Sequence, residues 1–444
     1  MKIKASVYII LCSFIFYSYN FCTNAKPNKD WTILIFVQAK NNLSKFATKN
    51  LTDMASIGSN NKINILVQWY QPNQQGIWRY KIEKNQINLE THIAQNSDGS
   101  SSEDLVGSMK WAVNNYPAKN YFLVLWNHGV GILDPVWNSS HRMHISPYLS
   151  VENPKLEIEG ITKNFENELS SHRGILFNEL NRTYMNNQEL ANALRQIKTD
   201  VLKNKKLDIL GMDACLMAMI EVGYQIRNYA KYMVASQEVE LANGWDYLTL
   251  LKNLSLGNIN PITLAVNIVK TYEHYYANKI QFYTQSAVDL ENMDLIKEGI
   301  NQIIKDIDIC KKLDTVKIKK LIQNSRSESI QFSNKNYIDL YSFYSQFHKK
   351  LNENYTKQAL NIIKNQHTKN ELTKSVNNLK ESLQLGMKLV ENAVVAKTAG
   401  KTFSGTQGLS IYFPFSSYID KSYVKTEFAQ DSLWVKFIRD TYTK

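Results

Sequence analysis

Six short apolar runs, separated by segments of helical periodicity, constrain this chain more than any other feature. They are Thr32–Ala39, Ile63–Trp69, Tyr121–Trp126, Leu207–Met212, Tyr232–Ser236 and Leu409–Phe413. Runs of this length without polar alternation read as strands buried on both faces, which is the habit of parallel sheets covered by helices. Leu43–Ile57, Ser102–Asn115 and Asn187–Ile197 supply helices between them, and Arg79–Ile82 suggests a short extra strand. The expected fold is therefore α/β, a mostly parallel sheet flanked by helices on both faces. Residues 251–400 read as amphipathic helices, for example Leu295–Ile309 and Glu353–Ile363, forming a helical subdomain inserted before the last strand.

Two of these runs end in reactive side chains. Tyr121–Trp126 leads into Asn127-His128-Gly129, and Leu207–Met212 into Asp213-Ala214-Cys215. Open α/β sheets carry their sites at the carboxyl ends of strands, so both side chains are expected on one sheet edge. Taken singly, His128 is a satisfied strand-end histidine and Cys215 a core thiol. Taken together they form a nucleophile and its base. The apolar run Leu216–Val222 predicts that Cys215 opens a helix, whose N–H groups would lower the thiol pKa and hold an oxyanion. Gly129 removes a side chain where backbone must approach a substrate carbonyl, and its N–H is the expected second oxyanion donor beside that of Cys215.

The remaining chemistry is sparse. Lys2 and Lys4 precede an apolar stretch over Val7–Tyr17, with Thr23 and Ala25 at small-residue cleavage positions, so residues 1–25 read as a secretory signal. Cleavage after Ala25 is favoured over a lipidated Cys22, because Tyr19, Asn20 and Phe21 suit a lipoprotein box poorly. Removing Lys2 and Lys4, and no acid, takes the formal charge from +12 to +10. Cys12 and Cys22 leave as well, so only Cys215 and Cys310 remain, which is no disulfide framework. Cys310 falls in a helical pattern as an inert half-buried thiol. The positive charge is spread over Lys-rich helices, which allows weak attraction to anionic surfaces. With no aromatic-interleaved stripe or motif, nucleic-acid binding is not expected. Residues 134–185 lack periodicity and read as a functional loop or processing segment. His141, His144 and His172 lie there without a ligand framework, so no metal is assigned.

The residues also carry a resemblance. Leu125-Trp126-Asn127-His128-Gly129 and Met212-Asp213-Ala214-Cys215-Leu216-Met217 resemble the clostripain family of cysteine endopeptidases, within the caspase-like and gingipain-like clan. Tyr116-Pro117-Ala118, Val234-Ala235-Ser236, Gly244-Trp245-Asp246-Tyr247, Ser286–Leu290, Tyr337–Leu340 and Gly408–Pro414 extend the likeness from about Trp31 to the C-terminus. It implies a caspase-like sheet, a dyad of His128 and Cys215, and hydrolysis of protein or peptide substrates after Arg or Lys in an acidic pocket. One pocket acid is Asp213. The second is expected in a Pro-Gly-Asp-Gly-Trp stretch that here reads Leu241-Ala242-Asn243-Gly244-Trp245, with Asn243 in the acid's place. Preference for basic residues is therefore expected to be weakened or altered, with Glu238, Glu240 and Asp246 near enough in sequence to compensate. A further departure is Lys40 in Ala39-Lys40-Asn41-Asn42-Leu43, where the family usually has Asp.

Members of the family are often zymogens cut between histidine and cysteine, for which Arg142, Lys155, Lys163 and Arg173 are candidate points. Some need calcium, although the chemistry requires no cofactor. The stretch Arg173–Glu179 is only partly acidic and shows no regular ligand spacing. The expected organisation is a signal at 1–25, a catalytic domain at 26–250, the helical subdomain at 251–400 and a returning strand with the C-terminal segment at 401–444. The expected compartment is outside the cytoplasm: periplasmic, cell-surface or extracellular. A catalytically silent relative that binds peptides or an envelope partner in the same groove is the competing reading, carried by the altered pocket.

Overall fold

The computed structural model describes residues 29–95, 97–133, 174–352 and 365–443. The expected signal, the four candidate cleavage points, the three loop histidines and the helix expected at Glu353–Ile363 lie outside the described residues. Strands are numbered β1 (Lys29–Gln38), β2 (Ile63–Tyr70), β3 (Ile77–Glu83), β4 (Gln86–Ile93), β5 (Ala118–Trp126), β6 (Ile175–Asn178), β7 (Thr183–Met185), β8 (Leu207–Asp213), β9 (Ala230–Ala235), β10 (Thr284–Asp289), β11 (Tyr337–Asp339), β12 (Val394–Ala399) and β13 (Ser410–Tyr412). Nine of them form one sheet in the order β12-β10-β9-β8-β5-β1-β2-β3-β4.

The five central strands, β9-β8-β5-β1-β2, are all parallel. They correspond to five of the six apolar runs. Their side chains alternate between two cores: Leu34 and Phe36 of β1 point to one layer, and Ile33, Ile35 and Val37 to the other. A strand that must fill two cores has no face left for water, which is why its sequence does not alternate. Antiparallel strands finish both edges.

Helices cover both faces. They are α1 (Ser44–Ile57), α2 (Ser102–Asn115), α3 (Asn187–Gln196), α4 (Ile220–Ile226), α5 (Tyr247–Ser255), α6 (Pro261–Tyr276), α7 (Met293–Leu313), α8 (Thr315–Glu328), α9 (Leu340–Lys350) and α10 (Gln366–Ala393). Leu51 of α1, Leu254 of α5 and Ile268 of α6 pack with Ile33 and Val37. Leu105 of α2, Leu194 of α3, Ile304 of α7, Phe343 of α9 and Leu383 of α10 share the opposite core with Leu210 and Met212 of β8. Local signals start these helices where expected. Ser101 accepts the N–H of Asp104 at the head of α2, and Asn186 with Glu189 forms a full capping box on α3.

The block 251–400 departs from the sequence expectation in two ways. It contributes β10 and β12 to the main sheet, beyond β9. The strand at 410–412 does not return to that sheet. It pairs antiparallel with β11 and bridges Met219 through Ser410. β10 escaped the sequence because Thr284, Gln285 and Ser286 are polar yet buried, their groups satisfied by other chain segments. The described part of the 134–185 segment is not irregular either, since it forms β6 and β7.

Candidate active site

β5 and β8 are parallel neighbours in which Trp126 sits opposite Asp213. Counting two residues past that pair along both strands reaches His128 on one and Cys215 on the other. The two loops are in contact: Asn127 N–H donates to Asp213 C=O at 3.3 Å. A Cβ on Gly129 would lie 2.6 Å from the Cys215 carbonyl oxygen and 3.0 Å from Ala214 Cβ, so only glycine lets these strand ends come this close.

The histidine side is stiffened by Asn127. Its amide exchanges hydrogen bonds with the backbone of Phe177, donating Nδ2 to Phe177 C=O and accepting Phe177 N–H on Oδ1, each at 3.0 Å. Val130 N–H adds a bond to Gly174 C=O at 3.1 Å. β6 thus clamps the segment that carries His128. The ring is buried, and its Nε2 lies 2.7 Å from Asn42 Oδ1. Asn42 follows β1, the other neighbour of β5. The sequence reading dwelt on Lys40 in this stretch and gave Asn42 no role. The available signal was positional, because β1 ends at the same sheet edge as the histidine strand.

Cys215 does not open a helix. α4 starts only at Ile220, and the residues between turn through Leu216, whose φ is +63°. A left-handed backbone costs a branched side chain roughly 1–2 kcal/mol, offset here by complete burial of Leu216. The loop is held instead by the segment after β9: Leu216 N–H reaches Glu238 C=O at 3.2 Å and Ala218 N–H reaches Ser236 C=O at 2.9 Å. The thiol follows from this placement. The residue is half-buried but its sulfur lies inside, and burial pushes the thiol up to about 12, with the Glu240 and Glu238 carboxyls adding to the shift. The N–H groups of Glu240, 3.3 Å from the sulfur, and of Gly129 oppose it. The expected lowering by a helix N-terminus is corrected on this point: the helix is five residues too late, and the nearest carboxyls carry the opposite sign.

Asp213, the last residue of β8, is buried. Its Oδ2 accepts the Tyr247 hydroxyl at 2.8 Å and Trp245 N–H at 3.3 Å. The buried carboxyl of Glu240 lies close enough to interact with it. Burial raises both acids, and the Asp213 charge raises Glu240 further, so the pair favours holding a proton. Gln285 Nε2 donates to Glu240 Oε1 at 3.0 Å. Asn243 is buried nearby, its carbonyl accepting Asn50 Nδ2 at 3.1 Å. The following Gly244, at φ +65°, backs directly onto Asp213: a Cβ there would lie 2.7 Å from Oδ2. Of the three acids named as compensating candidates, Glu240 is the one that interacts with Asp213. Glu238 bonds Ser333, and Asp246 caps α5.

Cys310 is fully buried in α7, not half-buried as the helical pattern suggested, and burial raises its thiol to about 12. Among the described residues no three His, Cys, Asp or Glu side chains converge as a metal site. The acid of the Arg173–Glu179 stretch, Glu179, lies against Asn42.

The sequence profile of the clostripain family matches residues 35–144 and 160–440. No curated protein matches. A secreted C11 cysteine protease from Bacteroides thetaiotaomicron, solved with an irreversible peptide inhibitor, superposes with a TM-score of 0.58 at 19% identity, covering 91% of this chain and 99% of that one. An inactive zymogen C11 protease from Parabacteroides distasonis gives 0.55 at 20% identity, covering 91% and 98%. A match that takes in both strand ends and runs nearly to the C-terminus is more than a shared motif: the chain belongs to the clostripain family of cysteine peptidases.

Proposed function

We propose that the chain is an exported cysteine endopeptidase that cleaves peptides and proteins after Arg or Lys, with Cys215 as nucleophile and His128 as its base. The observation that carries this reading is the register of β5 and β8, which sets His128 and Cys215 level at two adjoining strand ends, with the Asp213–Glu240 carboxyl pair close by. A thiol near 12 is protonated at neutral pH, so the imidazole takes its proton as attack begins. Sulfur then bonds to the scissile carbonyl carbon. The oxyanion that forms is held by the N–H groups of Gly129 and Cys215. Collapse expels the amine, which receives the proton from the imidazolium and leaves a thioester. Water, deprotonated by the same imidazole, attacks the thioester and releases the acid and the thiol. The steps balance without a cofactor.

The carboxyl pair supports a basic residue before the cleaved bond. A guanidinium or ammonium entering beside Asp213 displaces the proton the pair holds and gains two charge-assisted partners. Glu240 thereby takes the part that Asn243 leaves open. Export is supported by the Lys2–Ala25 leader pattern and by the secreted protease among the structural relatives. Activation by cleavage between His128 and Cys215 is supported by the zymogen among them.

The test is the ratio of kcat/KM for matched Arg and Gln substrates, which cancels differences in active fraction. Asp213→Asn and Glu240→Gln should each lower that ratio about tenfold. Ratios equal to wild type in both variants would remove the pair from the pocket. A folded protein that turns over no peptide would favour the catalytically silent reading.

A further inference from the structure

We infer that Asn42 is a positioning residue that fixes the tautomer and orientation of His128, an inference resting on His128 being the base for Cys215. An amide oxygen only accepts, so the 2.7 Å contact between Asn42 Oδ1 and His128 Nε2 makes Nε2 the donor. A neutral imidazole with its proton on Nε2 carries its lone pair on Nδ1, and Nδ1 is the atom that receives the thiol proton.

The turn that carries Asn42 is itself held firmly: Glu179 N–H donates to Lys40 C=O at 3.0 Å. Asn41 Nδ2 donates to Phe177 C=O at 3.1 Å, and Asn41 Oδ1 accepts Leu43 N–H at 2.9 Å, closing the turn that presents Asn42. The two residues before Glu179, Phe177 and Asn178, belong to β6, the strand that also clamps Asn127. One short strand therefore sets both the ring and the group that orients it.

The choice of an amide has a chemical consequence. A carboxylate in this place would stabilise the imidazolium and keep the proton that the leaving amine needs. An amide oxygen orients the ring while leaving its basicity low, which suits a resting pair of neutral thiol and neutral imidazole.

Three forms test this: wild type, Asn42→Ala and Asn42→Asp, each labelled with 15N-histidine and with His128→Ala used to assign the signal. In wild type and Asn42→Asp the His128 resonances should show the Nε2–H tautomer; in Asn42→Ala they should shift toward Nδ1–H. kcat should fall about 10- to 100-fold in Asn42→Ala with KM within about twofold, and Asn42→Asp, which restores the acceptor but holds the imidazolium proton, should recover only part of the loss. A residue that served only to shape the loop would leave the tautomer unchanged. An Nδ1–H tautomer in wild type, or Asn42→Ala with unchanged tautomer and wild-type kcat, would overturn the assignment. Hydrolysis that persists in Cys215→Ala would instead sink the reading of Cys215 as nucleophile with His128 as its base, and the tautomer measurement would still decide the role of Asn42.

Discussion

At the scale of single residues, the site is set by charges that oppose one another. Cys215 is surrounded by burial and by two carboxyls, all of which favour the neutral thiol, against N–H groups that favour the thiolate. The expected resting state is a protonated thiol. Alkylation by iodoacetamide should therefore rise about tenfold per pH unit from pH 7 to pH 10 without a plateau, since the thiolate fraction grows that way below the pKa. A plateau below pH 9 in wild type would mean that the sulfur is already paired as a thiolate. This part of the site was only half legible in the sequence. Asp213 and Cys215 could be named because they close an apolar run. The link from Asp213 to Glu240 spans two strand ends and needed the fold.

At the scale of elements, what could be read from the sequence followed the apolar density of each segment. β1, β2, β5, β8 and β9 carry buried apolar side chains nearly throughout, and each announces itself. β4 is mostly exposed and sits at the sheet edge, with too little apolar content to stand out. The apolar run after Cys215 misled for a physical reason. Leu216–Met219 are all buried, as helical core residues would be, but Leu216 adopts a left-handed backbone that periodicity does not encode. α4 then carries Glu221, fully buried, whose Oε1 accepts Tyr412 N–H at 2.8 Å and the Tyr423 hydroxyl at 3.0 Å. Burial raises this carboxyl to about 7, from an ordinary 4.5. The unfolded chain therefore loses its proton as pH passes 4.5 while the folded protein keeps it until about 7. Stability from this residue is full below about pH 4.5, declines from there to pH 7 and stays low above. At about 1.4 kcal/mol per pKa unit the loss is on the order of 3 kcal/mol. Glu221→Gln, which mimics the protonated acid, should raise the unfolding midpoint at pH 8 and change it little at pH 4.5. Equal midpoints at pH 8 would mean that Glu221 ionises freely in the folded protein.

At the scale of the whole molecule, one sheet gathers the ends of three neighbouring strands into a single site. β1 brings Asn42, β5 brings His128 and Gly129, and β8 brings Asp213 and Cys215, while the segment after β9 supplies Glu240. That convergence follows from parallel strands sharing a direction, and it brings Asn42 and Cys215, 173 positions apart in sequence, to one sheet edge. That Cys215 is the nucleophile and His128 its base is tested by intact-mass spectrometry with a peptidyl acyloxymethyl ketone ending in Lys. Wild type should gain one adduct, mapped to Cys215; Cys215→Ala should gain none; and His128→Ala should react about 100-fold more slowly. An adduct on Cys310, or labelling of His128→Ala at the wild-type rate, would contradict it.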